Sequence, residues 1–281
     1  MQKDSVVKTL VVAATLCVVC SVLVSGAAVS LKDLQDINKE LDVKKNLLQA
    51  SGLLKPGSAS KEEIEEAYES IEAVVVDLDA GVVASDIDPS SFNQVKASKD
   101  PDMSKLIAPE ADAAGIKRRS KYAPAYKYVE YGEMQMLILP VNGKGLWSTL
   151  YGFLALDKDL QTVKGIGFYQ HAETPGLGGE VDNPGWKAKW AGKKIFKDGV
   201  VSLKLIKGQT SPDRADYAYE IDGLSGATIT SNGVSGLIKY WMGQDGFGPF
   251  LKSLSLGVEE LRDEVGDSHD HHGHDHDHDH F

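Results

Sequence analysis

The chain has 281 residues, 42% of them apolar and 25% charged, and a formal net charge of −11. That make-up supports a folded core and argues against intrinsic disorder. The acidic balance, with no basic patch beyond the short run "KRRSK" from Lys117 to Lys121, excludes nucleic-acid binding.

Residues 1–8 form a short N-terminal segment with Lys3 and Lys8, and residues 9–31 carry no charge at all. At about 1.5 Å per residue, a helix of that length crosses a hydrocarbon core of about 30 Å. A single transmembrane helix is therefore expected over residues 9–31. A cleaved signal peptide, cut near residues 25–27, is the rival reading. The lysines on the two sides do not fix an orientation. Cys17 and Cys20 both lie inside the apolar run. Their spacing raises redox or metal chemistry, but a thiolate in hydrocarbon is costly and no acid or histidine accompanies the pair, so small apolar filler is the better reading.

Leu31, Leu34, Ile37, Leu41 and Leu48 then recur at helical spacing up to Gly52, which predicts an amphipathic stalk over residues 32–59. A further helix starts at Ser60 with Glu63 completing a capping box, and "VVVDLD" from Val74 to Asp79 reads as a strand. Residues 86–120 are polar and are expected to form a long surface loop. The middle of the chain is β-rich. Strands are expected at 126–132, 134–141, 146–157 and 162–171, with Asn142-Gly143 as a hairpin turn. A Gly- and Pro-rich loop follows, "AETPGLGGEVDNPG", then a short helix at 186–192 and strands at 201–208 and 216–223. A last helix is expected from about Thr230, presenting Val234, Leu237, Ile238, Trp241 and Met242 on one face. The fold class is α+β, with an antiparallel sheet in one domain over residues 60–260 behind the membrane helix.

Within that domain, "DGLSGATITSNGV" from Asp222 to Val234 leads a strand into the last helix. A turn before a helix N-terminus offers free amides and a positive dipole end to an anion. Residue types alone also allow a plain connection capped by Thr230 or Ser231. "GLSGA" lacks the final Gly of a nucleophile elbow, and no phosphate-binding glycine fingerprint of the nucleotide folds stands at this turn.

"DGLSGAT", Asp222 to Thr228, resembles the flavinylation motif of membrane flavoproteins, in which a flavin transferase attaches FMN through its phosphate to the last threonine. The resemblance implies a phosphoester at Thr228, with Ser225, Gly226 and Ala227 as small neighbours and Thr230 as a second hydroxyl nearby. Together with "GLWSTLYGFLALD" from Gly145 to Asp157 and "HAETPGLGGEV" from His171 to Val181, it is similar to the C subunits of the bacterial sodium-translocating NADH:quinone reductases. That family implies an electron-carrying flavoprotein, one of six subunits of a complex that oxidises NADH, reduces ubiquinone and exports Na⁺. It also implies a retained anchor in the inner membrane and the FMN domain on the periplasmic side, with five other subunits and the transferase as partners.

The same resemblance suggests Thr174, Gly176 and Leu177 beside the flavin ring, with Trp147, Ser148 and Tyr151 lining the same pocket. His171 and Glu173 are candidates for tuning the flavin, but a lone His beside a loop is more often a satisfied structural group. No side chain is implied as catalytic. The homologous flavoprotein of ferredoxin-dependent Rnf complexes is the alternative. Residues 261–281 form a separate tail. His269, His271, His272, His274, His276, His278 and His280 alternate with Asp there, a ligand set suited to adventitious Zn²⁺, Ni²⁺ or Cu²⁺, or an inert solvated extension.

Overall fold

The computed structural model describes residues 6–55, 57 and 59–267. The chain divides into two compact units between Lys44 and Lys45. In the first, Val6–Ser30 forms helix α1, of 25 residues, with no residue buried, and it is long and apolar enough to cross a membrane. Helix α2, Lys32–Ala50, follows a one-residue turn at Leu31. Its last turn belongs to the second unit, where Leu47, Leu48 and Ala50 are buried. Gly52 stops the helix at φ +77°, and the Leu54 amide closes back on the Leu48 carbonyl. The left-handed conformation at such a stop is cheap for glycine and costly for other residues.

In the second unit, helix α3, Lys61–Tyr68, starts from the expected capping box. Ser60 Oγ accepts from the Glu63 amide at 3.2 Å, and the Glu63 carboxylate accepts from the Ser60 amide at 2.7 Å. Strands β1, Ile71–Asp77, and β2, Val82–Val83, come next. The segment expected to be a bare loop contains a short helix α4, Gln94–Ala97, and a ribbon of β3, Ser104–Leu106, with β4, Arg118–Ser120. Arg119 explains the ordering. Its guanidinium is buried, donating to the Ser120 carbonyl at 2.9 Å and to Asp79.

Strands β5, Tyr122–Glu130, β6, Glu133–Lys144, β7, Thr149–Asp157, and β8, Val163–Gln170, complete an antiparallel sheet of order β2-β1-β5-β6-β7-β8. The hairpin between β6 and β7 does not turn at Asn142-Gly143. Both residues stay inside β6, paired with Tyr151 and Leu150, and the chain reverses over residues 145–148. A local dipeptide signal loses here to a tertiary one. Any side chain at Gly143 would meet Leu237 Cβ at 2.6 Å, so the glycine serves helix packing.

Alternation along the strands separates two apolar faces. Val76, Leu137, Leu139, Leu154 and Leu156 join one core with Leu237, Ile238, Trp241 and Phe247. Residues of the opposite parity, among them Val75, Ile138, Phe153 and Ala155, are buried as well. The end of α2 covers part of that second face, because Ala50 lies directly over Gly165 and Gly167 of β8. With both faces covered, β7 reads as a continuous apolar run instead of an alternating one.

After β8, helix α5, Pro184–Lys187, and a 3₁₀ turn, Ala188–Trp190, bring two tryptophans into the core. A small hairpin of β9, Phe196–Lys197, with β10, Val200–Val201, leads to β11, Lys204–Ile206, which pairs in parallel with β12, Glu220–Asp222. The expected strand from Asp216 is thus only its second half, the first being a 3₁₀ turn at Tyr217–Tyr219. Helix α6, Thr228–Trp241, packs its Val234, Leu237, Ile238 and Trp241 face on β6. Gly233 and Gly236 allow this approach, since a Cβ at either would strike the carbonyl of Lys144 or Ala113. Helix α7, Gly248–Asp267, ends the described chain.

Candidate functional site

Strand β12 delivers Asp222 to the base of the motif in a fixed position. Its buried carboxylate accepts from the Thr210 amide at 2.8 Å and pairs with Lys189 at 2.5 Å, while its carbonyl accepts from Trp186 Nε1 at 2.9 Å. Burial alone would raise the Asp222 carboxyl; the Lys189 ammonium and the Thr210 amide outweigh it and hold it below the usual range. The next residues cross close to a neighbouring strand. Gly223 lies where a Cβ would collide with the Ile206 carbonyl, and Gly226, at φ +71°, lies where one would come within 2.9 Å of Leu177 Cδ2. Packing therefore accounts for two of the small residues in this turn.

Helix α6 begins earlier than expected. Thr228 is its first residue and Ala227 its N-cap, with no side chain capping the end. Thr230 and Ser231 are not caps but lie within the first turn, both buried. Ser231 Oγ donates to the Ala227 carbonyl and accepts the Leu224 amide, each at 3.0 Å, which ties the turn to the helix. Thr228 and Ile229 are exposed, as are Ser225 and Gly226, whereas Ala227 is buried. An exposed hydroxyl thus stands at a helix start whose first amides lack intrahelical acceptors. Beside it lies a cleft of about 480 Å³ lined by Trp186, Lys189, residues 205–209 and 224–226, and Thr228, within the ~300–1,000 Å³ usual for small-molecule sites.

The loop "ETPGLG" reaches this turn through the Leu177–Gly226 approach. Thr174, Gly176 and Leu177 are exposed, with Gly176 at φ +75° and the Leu177 and Gly179 amides both closing on the Thr174 carbonyl. Glu173 is buried at its root and organises the site, a role that sequence reasoning missed. Its carboxylate accepts from the amides of Leu146 (3.2 Å), Trp147 (3.0 Å) and Ser148 (3.2 Å) and from Thr230 Oγ1 (2.6 Å). Burial works against its charge, but Thr230 and the three amides hold the carboxyl below its usual range. No sequence signal announces these partners, which lie 25 to 57 residues away.

The remaining candidates separate. Ser148 Oγ accepts the Ala172 amide at 2.7 Å, and Trp147 stays 68% exposed beside it. Tyr151 faces a different small cleft with Arg118, Tyr169 and Trp241 and does not join the Thr228 cleft. His171 is held locally, Nε2 at 2.7 Å from Asp182 and Nδ1 accepting the Glu173 amide. The tail histidines, from His269 to His280, lie outside the described residues.

An antiparallel sheet with an exposed hydroxyl at a helix start, over a cleft floored by close backbone approaches, defines a domain with a cofactor-sized site suited to an anionic ligand. In agreement, residues 145–243 match the family model described as an FMN-binding domain. The chain is 48% identical over 257 residues to the C subunit of the Na(+)-translocating NADH-quinone reductase of Pseudomonas aeruginosa, covering 91% of this chain and 98% of that one. It is 44% identical to the C subunit of the Yersinia pestis reductase, over 91% and 95% of the two chains. Among solved structures, Shewanella oneidensis NqrC superposes with a TM-score of 0.70 at 33% identity, covering 78% of this chain and 99% of that one. The C subunit from Parabacteroides distasonis gives 0.61 at 28%, over 79% and 96%. The chain belongs to the NqrC family, the C subunits of the Na⁺-translocating NADH-quinone reductases, as an FMN-binding subunit of that oxidoreductase. The Rnf-type alternative finds no support in these relatives.

Proposed function

We propose that this protein relays electrons through FMN held covalently by a phosphoester to Thr228, within a complex that oxidises NADH, reduces ubiquinone and exports Na⁺. The carrying observation is the exposed Thr228 hydroxyl at the uncapped start of α6, in contact with a cleft of cofactor size. FMN, when bound, takes up and gives back electrons. The residues supply position. The free first-turn amides of α6 and its dipole favour the phosphate charge beside Thr228. Ser225 and Gly226 leave the acceptor open to a flavin transferase, with Leu177 beside Gly226 at its edge.

The partners are the five other subunits, in which the Na⁺ path resides, since α1, the one membrane-length apolar helix among the described residues, carries no charge from Thr9 to Ser30. Helix α1 is a retained single-pass anchor in the bacterial inner membrane, with the flavin domain on the periplasmic side and residues 32–44 as its stalk, the end of α2 from Lys45 belonging to the domain. The tail over residues 261–281 takes no part in flavin chemistry and binds Zn²⁺, Ni²⁺ or Cu²⁺ only adventitiously.

The test is an intact mass measurement with peptide mapping on protein produced with its flavin transferase. One FMN on the Thr228 peptide, abolished in Thr228→Val, is expected. A covalent flavin that persists in that variant sinks the assignment.

A further inference from the structure

Four donors converge on one buried carboxylate at Glu173, and they come from separate parts of the chain. Three consecutive amides, Leu146 to Ser148, form the turn between β6 and β7, and together they make a concavity for an anion. The fourth donor, Thr230 Oγ1 at 2.6 Å, belongs to the first turn of α6, two residues after Thr228. The backbone of Glu173 itself begins the loop that carries Leu177 to Gly226. Ser148 doubles the link through its bond to the Ala172 amide.

Two glycines make room for this arrangement. A Cβ at Gly145 would lie 2.5 Å from Glu173 Oε1, and one at Gly178 would lie 2.6 Å from both Glu173 Oε2 and Thr230 Oγ1. Such an oxygen cannot swing aside, because its hydrogen bonds fix it. Bonds to an ionised acceptor are roughly twice as strong as neutral ones, and losing one partner of a buried group costs more than the bond itself contributes.

We infer that Glu173 is a positioning residue. Its carboxylate clamps the 145–148 turn, the 174–179 loop and the first turn of α6 into one unit, and that unit presents the Thr228 hydroxyl at a fixed place for attachment. The link to attachment rests on the reading of Thr228 as the flavin threonine; the clamp itself does not. Glu173 touches neither the hydroxyl nor the reacting phosphate in this scheme and acts through Thr230.

The experiment uses the full chain in detergent, produced with its flavin transferase, as wild type, Thr230→Val, Thr230→Ser and Glu173→Gln. Valine keeps the shape of threonine and removes one donor, so the fold should survive. Hydrogen exchange is followed on peptides covering 145–148 and 228–231. In Thr230→Val, exchange should rise on the order of tenfold in both segments, as loss of one charge-assisted bond predicts, and Thr230→Ser should match wild type. Glu173→Gln should raise both as well. A rise confined to α6, or none, overturns the clamp.

Flavin occupancy on the Thr228 peptide is read from the same samples. A fall of about threefold or more in Thr230→Val, restored in Thr230→Ser, supports the positioning role. Equal occupancy in the two variants and wild type overturns it. Absence of flavin from the wild-type Thr228 peptide refutes the attachment reading instead, and with it the positioning role, while the exchange data still decide the clamp.

Discussion

Thr228 and Thr230 share the first turn of one helix and occupy opposite environments: Thr228 is exposed beside the cleft, and Thr230 is fully buried with its hydroxyl on Glu173. Two residues of the same type, separated by a single position, thus divide the work of the motif. Thr228 is available for chemistry, and Thr230 has its only hydroxyl proton committed. Peptide mapping should accordingly find no flavin on Thr230, even in Thr228→Val.

Gly226 tests the contact between the two halves of the site. Gly226→Ala forces a side chain into φ +71° and to within 2.9 Å of Leu177 Cδ2. A loss of about 1 kcal/mol or more is expected from the backbone alone, measured by denaturant unfolding of the full chain. Combining it with Leu177→Ala should recover only the steric part. Full recovery in the double variant would show that the left-handed backbone costs nothing here.

Gly165 tests how the end of α2 is docked. A Cβ at that position strikes the Ala50 carbonyl, which is backbone and cannot rotate away, whereas one at Gly167 meets Ala50 Cβ at a tolerable 3.1 Å. Gly165→Ala should therefore destabilise by roughly 1–3 kcal/mol, the usual cost of overpacking, and Gly167→Ala by clearly less. Equal effects on the unfolding midpoint would contradict the close approach.

Acid should weaken the fold partly through the site. Glu173 and Asp222 both have carboxyls held below their ordinary values of 4.5 and 3.8. A depressed folded value means that the stabilisation is complete above the ordinary value and disappears as pH falls through the folded one. Thermal unfolding followed from pH 7 to pH 3 should therefore be flat at first and fall below about pH 4.5, with a slope of at most roughly 1.4 kcal/mol per pH unit for each group. Thr230→Val removes the largest favourable contact of Glu173 and should show a shallower acid limb. Parallel curves would mean that Thr230 does not set the Glu173 charge.

Much of the architecture is legible because its causes are local. The uncharged run of α1, the Ser60–Glu63 box and the apolar strands β5 to β8 each carry their signal within a few residues. Sequence reasoning fails where distant groups decide. Asn142-Gly143 has turn chemistry but is held straight by pairing with β7 and by Leu237 above it. Thr230 looks like a cap, yet its partner is a carboxylate 57 residues earlier, so the helix starts at Thr228 instead. Tyr151 lies on the segment that resembles the family but faces another cleft, since strand parity, not sequence proximity, decides its side. The bare character of "DGLSGAT" by itself suggests access alone. Gly223 and Gly226 also answer to Ile206 and Leu177, so the same atoms serve packing and openness together.

The space around Glu173 carries an evolutionary consequence. Positions 145, 173 and 178 cannot drift independently: while a glutamate stands at 173, a methyl group is barred at both of the others, and a shorter residue at 173 would free 145 but would free 178 only if Thr230 also gave way. Descendants of this chain should therefore show 145 changing with 173, and 178 changing only with 173 and 230 together, a covariation that no contact between adjacent residues in sequence would produce.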